Sequence, residues 1–145
     1  VSATKWLAKI KLTSWDEQGY WVPRGWSRDA PIKTQSRIDV VRAATGRSGP
    51  AGEYVIAGVA WAQHRGVDKV EVSIDDEPWQ EAKLGADVSD DAWRQWLLEW
   101  DATPGEHQIR VRATDKTGET QTEENARPDP NGATGYHRIR VNIDD

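Results

Sequence analysis

The sequence predicts an all-β protein, in which a β-sandwich of immunoglobulin type follows an extended, irregular segment. From residue 36 onward, about six or seven short stretches alternate apolar and polar residues, and turn-forming residues separate them. This density of short strands over about a hundred residues is typical of such sandwiches. Upstream, Pro23, Gly25 and Pro31 interrupt any sustained period, which predicts irregular chain.

The first candidate element is KWLAKIKL at residues 5–12. Its alternation favours a strand with one apolar and one largely basic face, although Lys, Leu and Ala also suit a short helix. SRIDVV at 36–41 predicts the first sandwich strand. AGEYVIAGVAWA at 51–62 predicts the second, with four apolar residues on one face: Val55, Ala57, Val59 and Trp61.

Three later stretches alternate clearly, and their inward residues can be named. GVDKVEVSID at 66–75 directs Val70, Val72 and Ile74 inward. After the acidic turn DDEP, WQEAKL at 79–84 returns as the second arm of a hairpin. GEHQIRVRATD and GYHRIRVNI predict two more strands, with Ile109, Val111 and Ala113 on one face of the former and His137, Ile139, Val141 and Ile143 on one face of the latter.

SDDAWRQWLLEW at 89–100 fits two periods. Trp93, Trp96 and Trp100 have helical spacing, whereas Trp96, Leu98 and Trp100 alternate as in a strand. We predict a strand from about Trp96, after one helical turn capped by Ser89 or Asp90. This strand is expected to form a hairpin with residues 107–113, with Trp96 and Trp100 in the core.

Composition excludes several classes of protein. The 145 residues include no Cys, which excludes disulfides, thiolate catalysis and Cys-based metal sites. Residues 1–40 hold seven Lys/Arg and four Asp/Glu, whereas residues 41–145 hold twelve and twenty. An acidic body argues against nucleic-acid binding, and no apolar run is long enough to span a membrane. Because the chain starts at Val1 and lacks Met, we expect a processed or excised piece of a longer protein.

No set of residues predicts catalysis or metal binding. His64, His107 and His137 lie on separate predicted elements, without a second ligand at metal-site spacing. The run DDEP at 75–78 lacks the spaced ligands of a calcium loop and is better explained as a hairpin tip. The nine Trp either fill the core or form an exposed platform for sugars or a partner.

Several segments, in this order, resemble the C-terminal part of a bacterial sulfite-oxidase-type molybdopterin oxidoreductase. They are SATKWL at 2–7, GYWVPRGW at 19–26, PIKTQSRIDV at 31–40, IAGVAWA at 56–62, VEVSIDDEPWQEAKL at 70–84, WRQWLLEWDATPGEHQIRVRATD at 93–115 and NGATGYHRIRV at 131–141. The resemblance covers nearly the whole chain, and the ordered set is more specific than any single motif.

The resemblance implies two parts, divided close to the change in charge. Residues 1–35 are similar to the C-terminal remnant of the molybdopterin-binding catalytic domain. Residues 36–145 are similar to the immunoglobulin-like Mo-cofactor oxidoreductase dimerisation domain. In this interpretation GYWVPRGW leaves the catalytic domain and lies across the sandwich, where Trp21 and Trp26 would each contribute about 1.5–3 kcal/mol by burial.

The resemblance also implies which site residues this chain retains. The family's molybdenum-ligating Cys lies upstream, so no catalytic or metal-binding residue is expected in this chain. By its match to the stretch that lines the pterin pocket, SATKW makes Thr4 and Lys5 candidate contacts to the pterin phosphate. Where animal sulfite oxidases carry an Arg-Gly turn, this sequence has Asn131–Gly132, with Arg127 nearby. Sulfite is therefore not implied as the substrate.

The expected function is that of a non-catalytic dimerisation domain of a sulfite-oxidase-like molybdenum oxidoreductase. Its expected partners are a second copy, through the sandwich, and its own upstream catalytic domain. Molybdopterin is expected in the parent enzyme and not in this chain. The alternative is a carbohydrate-binding or adhesive β-sandwich. Localisation stays open, and the bacterial resemblance suggests an extracytoplasmic or membrane-anchored parent.

Overall fold

The computed structural model describes residues 6–29, 31–43 and 51–144, and it confirms the all-β sandwich. The strands are β1 (Gln35–Ala43), β2 (Gly52–Trp61), β3 (Val67–Ile74), β4 (Gln80–Glu81), β5 (Lys83–Leu84), β6 (Arg94–Ala102), β7 (Gly105–Asp115) and β8 (His137–Ile143). One short 3-10 helix, Val22–Arg24, precedes them.

The strands form two antiparallel four-stranded sheets. The first sheet has the order β1-β2-β6-β5, and the second has the order β4-β3-β7-β8. Their inner faces enclose one main core, centred on Trp96, which is only 2% exposed. The predicted inward faces of β3 and β7 are confirmed, because Val70, Val72, Ile109, Val111 and Ala113 are all fully buried.

Strand β2 buries the face opposite to the predicted one, which carries Val55, Ala57, Val59 and Trp61. Tyr54, Ile56 and Ala60 enter the core, whereas Val55 and Val59 lie half-buried on the outer face. Both faces of β2 are largely apolar, so alternation alone could not choose between them. Gly58 lies on the inner face, where its missing side chain leaves room for the Trp96 ring.

Strand β6 is present, but its predicted hairpin with β7 is wrong. Strand β6 pairs with β2 and β5, so the chain changes sheets between β6 and β7. The connection is Thr103–Pro104, and both tight hairpin turns require a positive φ at the first loop residue. The β-branched side chain of Thr103 strongly disfavours that conformation, so a sheet-to-sheet corner forms instead.

The predicted hairpin after β3 is only partly correct. Strand β4 pairs with β3, but β5 joins β6 in the other sheet. Ala82, 3% exposed, lies between the two short strands and enters the core. The helical turn predicted before β6 is a single hydrogen-bonded turn, in which the Ala92 amide donates to the Ser89 carbonyl.

Residues 7–14 form neither the strand nor the helix that KWLAKIKL predicted. A strand requires a hydrogen-bonding neighbour, and the described residues provide none for this segment. The burial predicted for GYWVPRGW is also not found, because Trp21 is 45% exposed and Trp26 is half-buried. The next residue, Ser27, donates its amide to the Pro130 carbonyl in the loop between β7 and β8.

Candidate interaction surfaces

Residues 6–28, here called the N-terminal segment, expose an unusual amount of apolar surface. Its large apolar side chains are between 62% and 99% exposed at five positions within ten residues: Trp6, Leu7, Ile10, Leu12 and Trp15. Single exposed apolar residues are ordinary, but a concentration of this kind marks an interaction site.

The second half of the N-terminal segment packs mainly on itself. Tyr20 and Trp21 meet edge to face, with ring centroids 5.0 Å apart. The guanidinium of Arg24 lies 3.7 Å from the Tyr20 ring centroid, and its Nη1 donates to the Tyr20 carbonyl at 2.6 Å. Gly25 ends the 3-10 turn at a positive φ of 97°, which favours glycine. The aromatics therefore shape a local turn.

A buried carboxylate anchors the chain just before β1. Asp115 is fully buried at the end of β7 and accepts hydrogen bonds from Arg65 Nε at 2.7 Å and Thr34 Oγ1 at 3.0 Å. It also accepts from the amides of Thr117 and Glu119 and from Thr117 Oγ1. Burial alone would raise the pKa of Asp115, but these hydrogen bonds outweigh it and lower the pKa to about 2.

Beside this cluster runs an open groove of about 900 Å³, whose lining includes Lys33, Thr34, Gln121 and Tyr136. Lys33 Nζ donates to the Gly132 carbonyl at 2.8 Å, and Ser36 Oγ donates to Gln121 at 2.6 Å. These contacts fasten the chain entering β1 to the loop between β7 and β8. Lys33, Ser36 and Gln121 are thus occupied in holding this part of the structure together.

The outer face of the second sheet is charged. Arg112 pairs with Glu71 at 2.9 Å and lies 4.2 Å from the Trp79 ring centroid. Arg110 contacts Asp76 and Glu123 at 2.9 Å and 3.1 Å. Arg110 and Arg112 are thus each paired with carboxylates of the same chain.

The outer face of the first sheet is apolar along its middle. Its central strand, β2, presents Val55, Ala57, Val59 and Trp61. Strand register places Val40 and Leu97 on either side of Ala57, in one row across three strands. We call these six residues the apolar face. Trp61 stacks on Trp93 at 5.1 Å and donates its indole N–H to the Asp91 carbonyl, which closes one end of the face.

Charged residues flank the apolar face asymmetrically. Arg37 and Arg42 point outward from β1, whereas Glu99 and Asp101 point outward from β6. Arg37 is partly neutralised by Asp39, 2.6 Å away. Strand β1 is thus basic and strand β6 acidic along this face, and Lys83 of β5 lies beside Leu97 on the far side of β6.

The three histidines occupy separate positions. His137 Nδ1 accepts the Ile38 amide at 3.1 Å, and His64 lies beside Asp91. His107 is nearly buried between Asp75, at 2.6 Å, and the Thr103 carbonyl, at 2.8 Å. The hydrogen bond with Asp75 raises the pKa of His107, against the opposing effect of burial.

The proposed pterin contacts Thr4 and Lys5 lie outside the described residues. Arg127 is exposed and paired with Asp129. Within residues 6–29, 31–43 and 51–144, no three His, Asp or Glu side chains are grouped to hold a metal ion. No helix in that part of the chain has the length and apolar character needed to cross a membrane.

Sequence reasoning missed both Asp115 and the charged flanks of the apolar face. Asp115 is the first residue of the turn-forming stretch DKTGE at 115–119, which gives no sign of burial. Alternation along β6 could have identified Glu99 and Asp101, but Arg37 and Arg42 are five residues apart and share the outer face only because of the bulge between Ile38 and Val40. Without the strand order, however, their arrangement around β2 was not available.

The tryptophans do not form the sugar-binding platform that the alternative function requires. Trp96 is in the core, Trp61 stacks on Trp93, and Trp79 meets Tyr136 edge to face. Others are exposed in the N-terminal segment. A division between the core and an interaction segment favours assembly.

Comparison with known proteins gives one family match, to the Mo-co oxidoreductase dimerisation domain over residues 29–144. No curated protein matches the chain. Among solved structures, the sulfane dehydrogenase SoxCD from Paracoccus pantotrophus is similar in fold, with 22% identity and a TM-score of 0.66. The similarity covers 81% of this chain but 34% of the SoxCD chain, so this chain spans about a third of that protein's length.

The fibronectin(III)-like modules of Clostridium thermocellum CbhA match with 16% identity, covering 72% of this chain and 97% of the module, at a TM-score of 0.38. That score is too low to support an argument about this chain.

Proposed function

Since the chain belongs to the family of Mo-co oxidoreductase dimerisation domains, we propose that its sandwich joins two copies of a molybdopterin-dependent oxidoreductase. The sandwich is the dimerisation part of that enzyme. Residues 1–35 belong to the preceding catalytic domain, and residues 36–145 form the dimerisation domain. The start of β1 at Gln35 supports a boundary near this position, and the family match begins slightly earlier, at residue 29.

The exposed N-terminal segment is the observation that carries the catalytic-domain part of the proposal. Covering Ile10, Leu12 and Trp15 would each contribute about 1.5–3 kcal/mol, which is enough to hold two domains together. The segment also lacks a strand partner within the described residues. A catalytic domain would supply both the apolar cover and the missing neighbour.

Limited proteolysis tests this packing. Trypsin should cleave after Lys9 and Lys11 rapidly in this chain and much more slowly in the full-length enzyme, where the catalytic domain covers them. Cleavage after Lys69, which lies within β3, serves as the control and should be slow in both proteins. Equal cleavage after Lys9 in both proteins would contradict the proposed packing.

The proposed cofactor contacts can be tested without measuring activity. Replacing Lys5 by Ala in the full-length enzyme should lower the amount of molybdopterin that co-purifies, because an ammonium–phosphate contact is lost. Lys11→Ala is the matched control, since Lys11 is paired with Glu17 at 3.2 Å. Equal molybdopterin content in both variants would remove Lys5 from the site.

Self-association of this chain tests the dimerisation function itself. Sedimentation velocity over a wide concentration range should show a reversible dimer. A chain that stays monomeric at about 1 mM would have a dimer weaker than about 4 kcal/mol. That result would contradict dimerisation through the sandwich alone.

A further inference from the structure

We infer that the apolar face of the first sheet is where a second copy of this chain docks, about a two-fold axis parallel to the strands. This inference rests on the proposed dimerisation function and specifies its surface and geometry. Three observations support it: the apolar centre, the asymmetric charges, and the blocked edge of β1.

The apolar centre suits close packing between two sheets. Ala57 lies in the middle of the face, between Val55 and Val59 along β2 and between Val40 and Leu97 across the sheet. Facing sheets pack about 10 Å apart, and small or β-branched side chains at the centre allow that distance. The charged outer face of the second sheet offers no comparable surface.

The charges select one orientation of the second copy. An axis parallel to the strands and over β2 reverses the strand order, so that β1 of one copy lies over β6 of the other. Each row of paired residues keeps its position along the axis, because the strands of the two copies run in the same direction. Register places Arg42, Val55 and Glu99 in one row. Arg42 therefore faces Glu99 of the second copy, and the same contact occurs twice. Glu53, which also points outward from β2, meets Glu53 of the second copy at the axis, so one like-charge contact opposes these two favourable ones.

The other two-fold orientation is disfavoured. An axis perpendicular to the strands, through the row of Ala57, would lay β1 over β1. Arg42 would then face Arg37 of the second copy, and this repulsive contact would also occur twice. Like charges in contact at an interface are unfavourable. The charge pattern therefore favours the axis parallel to the strands.

Pairing through the edge of β1 is blocked. The amide of Ile38 donates to His137 Nδ1 at 3.1 Å, and the register shifts between Ile38 and Val40. A bulge and an occupied amide both prevent a further strand from adding to an edge. The second copy is thus directed to the face of the sheet.

The size of the face predicts a weak dimer. Three strands about 4.8 Å apart and about 30 Å long give a footprint of about 400 Å² on each copy. The two copies together bury about 800 Å² when the sheets are treated as flat. Side chains that project from the sheets increase this area somewhat. Stable interfaces bury about 1,200–2,000 Å², so we expect a reversible, concentration-dependent dimer.

Charge reversal with mixing tests both the surface and the axis. Arg42→Glu and Glu99→Lys should each weaken the homodimer about ten- to a hundredfold, because each introduces two like-charge contacts. An equimolar mixture of the two variants should recover dimerisation. In the mixed dimer, one contact joins the two substituted side chains, which have opposite charges, and the other joins the unchanged Arg42 and Glu99. Ala57→Glu should also weaken the dimer, because the two carboxylates meet at the axis.

Arg140→Glu, on the outer face of the second sheet, is the matched control and should leave dimerisation unchanged. Circular dichroism checks that every variant is folded. A wild-type dimer that none of Arg42→Glu, Glu99→Lys and Ala57→Glu weakens would overturn the proposed face and leave dimerisation intact. Weakened single variants that fail to recover on mixing would overturn the axis. A wild-type chain that stays monomeric at about 1 mM would instead overturn dimerisation through the sandwich alone, on which the inference rests.

Discussion

Replacing Asp115 by Asn tests the buried cluster that fixes the chain before β1. The substitution keeps the size of the side chain but replaces one carboxylate oxygen by an amide NH₂ group. Asp115 Oδ2 accepts from Arg65 Nε and Thr34 Oγ1, while Oδ1 accepts from the Thr117 and Glu119 amides. If Asn keeps the contacts of Oδ1, its NH₂ group must face the donor of Arg65.

The expected loss follows from the pKa and the hydrogen bonds. A fall in the pKa of Asp115 from 3.8 to about 2 corresponds to about 2 kcal/mol of stability for the ionised form. Placing two donors against each other in a buried site adds about 1–2 kcal/mol. Arg65 is partly exposed and can regain some hydration. We therefore expect Asp115→Asn to lower the free energy of unfolding by about 2–4 kcal/mol at pH 7.

The pH dependence has a definite sign. Because the pKa of Asp115 is lowered on folding, its ionisation stabilises the fold above about pH 4, and that stability is lost as the pH falls toward about 2. The difference between wild type and Asp115→Asn should therefore shrink by about 2 kcal/mol between pH 7 and pH 2.

Urea denaturation across this pH range measures the effect. Asp68→Asn is the control, since Asp68 is exposed on β3 and should change stability by less than about 0.5 kcal/mol. A loss below about 1 kcal/mol at pH 7, or a loss that is the same at pH 2 and pH 7, would refute the role assigned to the ionised Asp115.

Three further predictions concern the core and one partly buried ion pair. Trp96→Ala should lower the free energy of unfolding by about 3–5 kcal/mol in urea titrations, because the ring is 2% exposed, and a loss under about 1 kcal/mol would contradict its placement. Gly58→Ala should cost about 1–3 kcal/mol, since the new Cβ would overlap the Arg37 carbonyl and lie 2.9 Å from Trp96 Cζ2, whereas Gly19→Ala meets nothing within 4 Å. Because Asp75 raises the pKa of His107, the charged pair should stabilise the fold below about pH 6.5 and lose that stability as the pH rises through the raised pKa. The His107→Gln variant should lack this loss in denaturation measured between about pH 6 and 9.

The sequence alone determined the class of fold, the inward residues of several strands and the family. Where one face is apolar and the other charged, as in β7, the period of two fixes which residues enter the core. The family resemblance depended on ordered motifs along the chain, which require no knowledge of contacts.

Only the tertiary structure decided which strands pair and which face of β2 is buried. A period of two identifies the faces of a strand but not its neighbour, so it could not place β6 beside β2 instead of β7. With apolar residues on both faces of β2, packing around Trp96 made the choice. The pairing of β1 with β2 and of β2 with β6 also placed Arg42 and Glu99 on opposite sides of Val55. These residues lie far apart in sequence, and the sheet's hydrogen-bond register alone brings them into one row.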